Sequence, residues 1–553
     1  MQLLLIDDQQ KLHDRGVEEG GFVDVVTAAL EDVSRLYPVE ATALGDHRGD
    51  DRLPDLTAAG LDERRRALSS HLAAVDGLDH GRLSVSDAVD AAILRARLSG
   101  LLLALDETRD LEWNPLEWNP GTAVYLLLAR DFAPLGQRLR SVAARLAAVP
   151  EHLRTARRTL EAMPRVHVET AVGQFTGTRT LLEGELERAL DREPALRPEV
   201  EPARELAVAA IDEHVAWLRQ RLDRDARDPR LGAELYARKL AHSLDTATDP
   251  GALLAHAEAE LPALEERLAA VAARLGGSPR AVLDRLAAEG HVDDATVVSQ
   301  CEAALAHATS AVRGLDLVTV PDDPVQVIVM PEIHRGVAVA YCDPPGPLET
   351  RRLPTYFAVA PTPADWPAER VASFYREYNA HMLHNLTVHE AMPGHALQLA
   401  HARRFVASTP VRAAFWSGTF VEGWAVLAEE LMVEAGYDGA GSADALGLQR
   451  LKMALRMTIN AILDVRVHTR GMTQAEAMEL MTRRGHQEEG EAAGKWRRAL
   501  LTSAQLPTYY VGYTELREVA RGLPPGPRRY DSLLAHGSPA PRYLRALLTP
   551  PPQ

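Results

Sequence analysis

Two histidines in the C-terminal half of the chain are separated by a break that no continuous helix can contain. His389 and His395 lie six residues apart, with Pro393 and Gly394 between them. At about 100° per residue, side chains six apart on an unbroken helix point well away from each other. Proline removes a backbone donor and clashes with the preceding turn, whereas glycine relaxes the backbone. The sequence therefore predicts a helix interrupted at Pro393-Gly394, so that both imidazoles can face one point.

Carboxylates accompany the two histidines. Glu390 directly follows the first histidine, and Glu422 precedes Glu429 by seven residues in a later helical stretch. Residues seven apart share one helical face, and Gly423 and Ala425 leave room there for close packing. A catalytic zinc site needs two neutral imidazoles, one carboxylate ligand and a second carboxylate that accepts and releases a proton. We therefore predict a metal site formed by the two histidines and Glu422, with Glu429 supporting it.

Charge and composition exclude several classes of protein. The 553-residue chain has a formal net charge of -17, whereas general nucleic-acid binders attract phosphates with clustered Lys and Arg. Cys301 and Cys342 are too few for a disulfide framework. The first residues lack a basic region and a long apolar run, and no segment has the roughly 18 apolar residues of a membrane span. We expect a cytoplasmic protein that binds neither nucleic acid nor membrane.

The apolar pattern divides the chain into two parts. Residues 1–310 show apolar positions at three- and four-residue spacing, which predicts an N-terminal lobe of stacked helices. Residues 311–553 would be a catalytic lobe, in which three β-branched runs predict a small sheet just before the metal motif; the two parts could also form one continuous domain. The repeated LEWNPLEWNP at 111–120 predicts a loop whose tryptophans pack against helices. The predicted fold is mainly α, with a small β-sheet beside the metal-binding helix.

Longer motifs around these residues are similar to those of a known family. HEAMPGHALQ and EGWAVLAE, with LGAELYARKLAH and RRALLTSAQLPTYYVG, resemble the bacterial family called domain of unknown function 885, over nearly the whole chain from about residue 38. By resemblance this family is related to glutamate-zinc metallopeptidases such as the angiotensin-converting-enzyme-like and carboxypeptidase Taq-like proteins. The resemblance implies a two-lobed helical body around a deep active-site cleft, one bound zinc ion, and a hydrolytic reaction.

The resemblance also implies roles for individual side chains. Glu390, beside the first ligand, would be the general base. An oxyanion needs a hydrogen-bond donor opposite the metal, for which Tyr509 is the first choice and His468 the second. The remaining candidates would bind the substrate or support the ligands: Arg498, Gln505 and Tyr510 for the substrate, Glu429 and Gln398 for the ligands.

The chain departs from the family pattern near the site. Many members carry a second histidine where this chain has Ala396, an aromatic residue where it has Leu427, and an acidic residue where it has Lys495. A usual Pro-Gly-Gln is Ser-Ala-Gln at 503–505. The metal-binding residues are unaffected, so these changes bear on the substrate and the reaction type.

Three interpretations of function follow from these residues. The leading one is a zinc-dependent hydrolase of peptide or amide bonds, acting on short peptides or small amides. The first alternative is a metal-dependent lyase or transferase of secondary metabolism on the same scaffold. The second is a helical binding protein without catalysis, which predicts no bound metal. The sequence leaves the oligomeric state open.

Overall fold

Helices form most of the computed structural model, which describes residues 21–222, 224, 227–246, 248–331, 340–363 and 366–548. The first part of the described chain contains these helices: α1 (21–36), α2 (Pro38–Leu44), α3 (Ala58–Asp76), α4 (Val85–Leu103), α5 (Asp110–Trp113), α6 (Gly121–Ala129), α7 (Leu135–Thr159), α8 (Arg165–Glu183), α9 (Glu185–Arg192), α10 (Arg197–Arg221), α11 (Ala233–Ser243), α12 (Pro250–Arg274), α13 (Pro279–Glu289) and α14 (Val297–Leu315). The second part contains these: α15 (Ala368–Glu377), α16 (Ala380–Glu390), α17 (His395–Ala402), α18 (Val411–Ala414), α19 (Gly418–Glu434), α20 (Ala443–Arg470), α21 (Gln474–Glu479), α22 (Glu489–Leu501), α23 (Pro507–Arg521), α24 (Asp531–Leu534) and α25 (Pro541–Leu548). The predicted mainly helical fold is confirmed. In the part of the chain that is described, every helix is too short or too polar to span a bilayer.

The predicted sheet is present and lies just before the metal motif. Its strands are β1 (Val325–Val329), β2 (Ala340–Asp343) and β3 (Thr355–Val359), in the order β1-β3-β2. β1 is parallel to β3, and β2 is antiparallel to it. Residues 336–339, which the sequence assigned to the second strand, lie outside the described residues. β2 borders α16, because the N–H of Cys342 donates to Oε2 of Glu390 at 2.9 Å.

Most buried apolar side chains belong to two large clusters. One cluster joins α6 through α10, where Leu146 and Phe175 are fully buried. The other begins in α11 and includes α12 to α14 together with the half of the chain that contains His389 and His395, where Phe420 and Trp424 are fully buried. Helices α11 to α14 therefore share their core with the residues that follow them. The division into residues 1–310 and 311–553 stays a prediction.

Helices α19 and α23 touch backbone to backbone. A Cβ atom at Gly512 would lie 2.0 Å from the carbonyl oxygen of Thr419, and one at Gly423 would lie 2.5 Å from the carbonyl oxygen of Gly512. Glycine is required at both positions because any other side chain would overlap the facing backbone. This contact sets Glu422, the residue before Gly423, against the first turns of α23, which carry Tyr509.

The repeated LEWNP motif is helical, so the loop predicted there was wrong. Its first copy ends α5, and its second forms the 3₁₀ turn Pro115–Trp118. The side chains of Asn114 and Asn119 accept hydrogen bonds from the backbone N–H two residues on, which starts a new turn after each copy. Trp113 and Trp118 are buried, as predicted, and each indole N–H donates to a backbone carbonyl.

Replacing Gly512 by alanine should destabilise the protein, because the new methyl group would overlap the carbonyl oxygen of Thr419. We expect a loss of about 2–4 kcal/mol in the free energy of unfolding, measured as a lower melting temperature. Gly494→Ala is the matched control: it lies inside α22, and no atom lies within 4 Å of its added Cβ. That variant should gain roughly 0.5–1 kcal/mol. Equal melting temperatures for Gly512→Ala and wild type would contradict the helix contact.

Buried neutral histidines should make the fold sensitive to acid. Burial lowers the pKa of His152 to about 4, that of His214 to about 3 and that of His468 to about 4, from the ordinary value of 6.5. Below pH 6.5 the unfolded chain takes up protons at these side chains and the folded chain does not. The melting temperature should therefore be highest above pH 6.5 and fall as the pH decreases from 6.5 towards 4. A His152→Gln variant should show a weaker dependence, and an identical slope would contradict this account.

Candidate metal centre

A tight turn separates the two histidines. Helix α16 ends at Glu390 and α17 begins at His395, which confirms the predicted interruption. The N–H of Gly394 donates to the carbonyl of Val388 at 2.9 Å, so the chain folds back onto the end of α16. A Cβ atom on Gly394 would lie 1.8 Å from the carbonyl oxygen of His389, so glycine is required here. The turn is also fixed from α19, whose Trp424 donates its indole N–H to the carbonyl of Pro393.

This turn brings both imidazoles to the Glu422 carboxylate of α19. One ligand atom from each of His389, His395 and Glu422 lies within 4.8 Å of the other two. Each Nε2 atom is 3.5 Å from Oε2 of Glu422, and the two rings are almost perpendicular, with an interplanar angle of 86°. Two imidazole nitrogens and one carboxylate oxygen form a typical zinc ligand set.

The hydrogen bonding of these three side chains fits a metal ion. Oε2 of Glu422 is buried, and no group in the described part of the chain donates a hydrogen bond to it. A buried carboxylate oxygen without a donor or a cation is energetically costly. An ion held by His389, His395 and Glu422 would supply the missing positive charge. The residues present therefore fit the metal site that the sequence predicts.

Glu429 orients the first histidine. It lies two turns after Glu422 on the same face of α19, and Nδ1–H of His389 donates to its Oε1 at 2.7 Å. Asn385, one turn before His389 on α16, donates to the other oxygen at 2.9 Å. Because Nδ1 carries the donated proton, the lone pair of Nε2 is free to face Glu422 and an ion. Glu429 therefore has the supporting position that the sequence predicts for it.

The carboxylates around His389 strongly favour a positive charge at its position. Burial alone would lower the pKa of His389, but the neighbouring carboxylates of Glu422 and Glu429 outweigh it and raise that pKa well above its ordinary value. Burial would likewise raise the pKa of Glu422, but the two imidazoles beside it lower that pKa below its usual range. A proton on His389 therefore occupies the electrostatic position that a metal cation would take.

Glu390 lies beside the ligands without belonging to them. Its side chain is buried, and one oxygen accepts the N–H of Cys342 from β2. Burial raises the pKa of this carboxyl above its ordinary value. A carboxylate in this position can accept and release a proton next to His389.

Three of the predicted residues lie together, close enough to Glu422 for its charge to act on two of them. Nη2 of Arg498 lies 2.8 Å from Oε1 of Gln505 and 3.4 Å from the hydroxyl of Tyr509. Burial, reinforced by the negative charge of Glu422, raises the pKa of Tyr509. The phenol therefore keeps its proton and can act as a hydrogen-bond donor. This group fits the predicted donor opposite the metal better than His468 does.

His468 is engaged elsewhere. Its Nε2–H donates to the carbonyls of Ala499 at 2.9 Å and Thr502 at 3.0 Å, and Nδ1 accepts the N–H of Leu231 at 3.4 Å. Both ring nitrogens thus hold the end of α22 and the start of α11 against α20. The structure does not bring this side chain to the metal ligands.

Tyr510 and Gln398 also face away from the ligands. The hydroxyl of Tyr510 donates to Oε2 of Glu260 at 2.7 Å and lies 2.6 Å from Nδ1 of His256, both on α12. Nε2 of Gln398 donates to the hydroxyl of Ser538 at 2.7 Å. The hydroxyl of Tyr510 therefore joins α23 to α12, and Gln398 joins α17 to the segment between α24 and α25. Neither of these hydrogen bonds supports the substrate role predicted for Tyr510 or the supporting role predicted for Gln398.

Sequence reasoning missed two residues that position the site. Asn385 holds Glu429, and its spacing of four residues before His389 on one helix was an available signal. Asp464 accepts the N–H of Ala504, a residue with a φ of 61°, at 2.8 Å. It thereby fixes the turn that leads into Gln505. No pattern in the sequence links residues that lie forty positions apart.

Solved structures share the fold over almost its whole length. A candidate lipoprotein of unknown function from Shewanella oneidensis is 28% identical with a TM-score of 0.78, and the match covers 95% of this chain and 99% of that chain. A candidate lipoprotein from Colwellia psychrerythraea is 16% identical with a TM-score of 0.76, covering 97% of this chain and 98% of that one. At the lower identity the likeness shows the fold alone.

The family comparison covers the site as well as the fold. No curated protein sequence matches the chain. The model of a family described as bacterial protein of unknown function (DUF885) matches residues 38–548, a range that contains the three candidate ligands and every other candidate site residue. The chain therefore belongs to this bacterial family of unknown function.

Proposed function

We propose that the protein is a zinc-dependent hydrolase of peptide or amide bonds in short peptides or small amides. The observation that carries the proposal is the convergence of His389, His395 and Glu422, whose donor atoms lie within 4.8 Å of one another. Three protein ligands are typical of catalytic zinc, which keeps a fourth position open, whereas structural zinc is enclosed by four. In the part of the chain that the structure describes, no fourth His, Cys, Asp or Glu joins this group.

The residues around the ligands supply the proton transfers that hydrolysis needs. Zinc in such a site acts as a Lewis acid, which makes water reactive at neutral pH and polarises a carbonyl group. Glu390 would take a proton from the attacking water and deliver it to the leaving nitrogen. Its neighbour in sequence is the ligand His389, and its contact with Cys342 of β2 holds the carboxylate at the edge of the sheet.

Tyr509 would stabilise the charge that develops on the substrate. A carbonyl oxygen gains negative charge as water adds to its carbon, and a positioned donor lowers the energy of that state. The Tyr509 hydroxyl lies 3.4 Å from Nη2 of Arg498, and the charge of Glu422 acts on it. The ligands themselves are mostly buried, with side-chain exposures of 12% for His389, 9% for His395 and 21% for Glu422. This burial favours small substrates over the surface of a folded protein.

Metal analysis tests the ligand set. We expect purified protein to hold about one zinc ion per chain and a His389→Ala variant to hold almost none, as measured by elemental mass spectrometry. Glu429→Gln should weaken zinc binding by about 10- to 100-fold in a chelator competition, because the partner of Nδ1 is altered. Glu434→Gln, an exposed position on the same helix, is the matched control and should bind zinc like wild type. A wild-type protein without metal after zinc is supplied would refute the ligand set.

A Glu390→Gln variant tests the reaction. The amide cannot accept the proton of the attacking water, so the rate of hydrolysis of dipeptides and tripeptides should fall by about 10²–10⁴-fold. Its zinc content should equal that of wild type, because Glu390 is not a ligand. Release of new amino groups measures the rate. An unchanged rate would contradict the assigned role, and a binding protein without catalysis predicts no turnover in either protein.

A further inference from the structure

A buried carboxylate of α20 holds the turn that connects α22 to α23. Asp464 is fully buried, and its Oδ2 accepts the N–H of Ala504 at 2.8 Å and the hydroxyl of Tyr236 at 2.7 Å. Among the described residues no lysine or arginine lies within 4.0 Å of this carboxylate, and its Oδ1 has no hydrogen-bond partner. Burying a carboxylate in such surroundings is costly. Its presence there therefore calls for a reason other than packing.

The contact with the turn does not require a particular charge state of Asp464. Burial raises the pKa of this carboxyl to about 7, and the hydrogen bonds from Tyr236 and Ala504 act against that rise. The positive charges of Lys239 and Arg498 act on it from farther away. A carboxyl group keeps an oxygen that can accept a hydrogen bond whether it is charged or neutral. Asp464 can therefore hold the N–H of Ala504 on both sides of neutral pH.

The residue that Asp464 holds has an unfavourable backbone conformation. Ala504 has a φ of 61°, in the left-handed region that residues with a Cβ atom rarely adopt. Its methyl group is fully buried. A conformation of this kind persists only where neighbouring contacts enforce it. The hydrogen bond from the Ala504 N–H to Asp464 is such a contact.

A second side chain of α20 holds the other end of the same turn. His468 lies one helical turn after Asp464, and its Nε2–H donates to the carbonyls of Ala499 at 2.9 Å and Thr502 at 3.0 Å. Its ring stacks on that of Tyr236, with 5.5 Å between the centroids and an interplanar angle of 7°. The turn is thus attached at both ends to one face of α20.

This turn decides which side chains of α22 and α23 meet. Only residues 502–506 lie between the two helices. In the observed arrangement Nη2 of Arg498 lies 2.8 Å from Oε1 of Gln505 and 3.4 Å from the hydroxyl of Tyr509. Gln505 directly follows Ala504. A change in the φ of Ala504 would therefore move Gln505 and the first turn of α23 relative to α22.

We propose that Asp464 is a positioning residue of the hydrolytic site: by holding Ala504 in the left-handed conformation, it sets the Tyr509 hydroxyl where the substrate carbonyl gains charge. This inference rests on the proposed hydrolase function and extends it to a residue outside the ligand set. His468 gives the turn its second attachment. A donor aligned with developing charge acts mainly on the transition state, so its misplacement lowers kcat and leaves KM almost unchanged.

Removal of the acceptor tests the proposal. Asp464→Leu cannot accept the N–H of Ala504, so kcat for dipeptides and tripeptides should fall by about 10- to 100-fold, with KM within about twofold of wild type. Asp464→Asn keeps a carbonyl oxygen and should stay close to wild type. Tyr236→Phe is the matched control: it removes the other hydrogen bond of Asp464, leaves the turn attached and should keep the wild-type kcat. All of these variants should bind zinc like wild type.

A substitution of Ala504 separates positioning from stability. Glycine adopts the left-handed conformation without a steric penalty, so Asp464→Leu combined with Ala504→Gly should recover kcat to within about threefold of wild type. Ala492→Gly, at a buried alanine inside α22, is the matched control and should leave the loss in place. If Asp464→Leu does not fold, the same comparison uses Asp464→Leu with Tyr236→Phe, in which no hydroxyl is left unpaired by the change.

Hydrogen exchange of residues 502–506, followed by mass spectrometry, reports on the turn without any turnover. Exchange should be faster in Asp464→Leu and unchanged in Tyr236→Phe. An unchanged kcat in Asp464→Leu, an equal loss in Tyr236→Phe, or a loss that Ala504→Gly does not reverse would overturn the positioning role. Faster exchange in Asp464→Leu, together with a wild type that cleaves no peptide, would refute the hydrolase and leave Asp464 as the residue that holds the turn.

Discussion

The missing side chain at Gly394 determines where the second histidine can lie. The backbone of this residue contacts the end of α16 so closely that an added Cβ would be 1.8 Å from the carbonyl of His389. Only this approach allows α17 to begin at His395 with its imidazole next to that of His389. The Gly423 and Gly512 contact has the same effect for Glu422, since it fixes α19 against α23. Two backbone contacts thus determine the positions of all three candidate ligands.

Charge is distributed unevenly around this centre. Glu390, Glu422 and Glu429 lie around the imidazoles, and the positive charges of Lys495 and Arg498 on α22 act on Glu422. The chain as a whole carries a net charge of -17 and repels anions at long range. An anionic substrate would therefore depend on short-range attraction inside the site. A buried cation such as Lys495 would provide this attraction, because salt and water screen it only weakly.

Local patterns in the sequence predicted the features that depend on local physics. The Pro393-Gly394 break, the β-branched strands and the shared face of Glu422 and Glu429 all follow from backbone chemistry or helical period, and all are present. The asparagine residues of LEWNP start helical turns where a loop was predicted. The family resemblance suggested His468 and Tyr510, but their partners lie on α12, at the end of α22 and just before α11. Tertiary packing determines which other helix a given helical face contacts. The spacing of residues along the chain carries no information about that packing.

One buried oxygen of the candidate site lacks a donor within the described structure. It is Oε2 of Glu422. A buried carboxylate oxygen without a donor is costly, and the large apolar cluster around Trp424 and Phe420 supplies the burial that offsets such a cost. A cation held by His389, His395 and Glu422 would satisfy this oxygen. Because a ligand that binds only the folded state stabilises it, a metal ion bound there would raise the stability of this half of the chain.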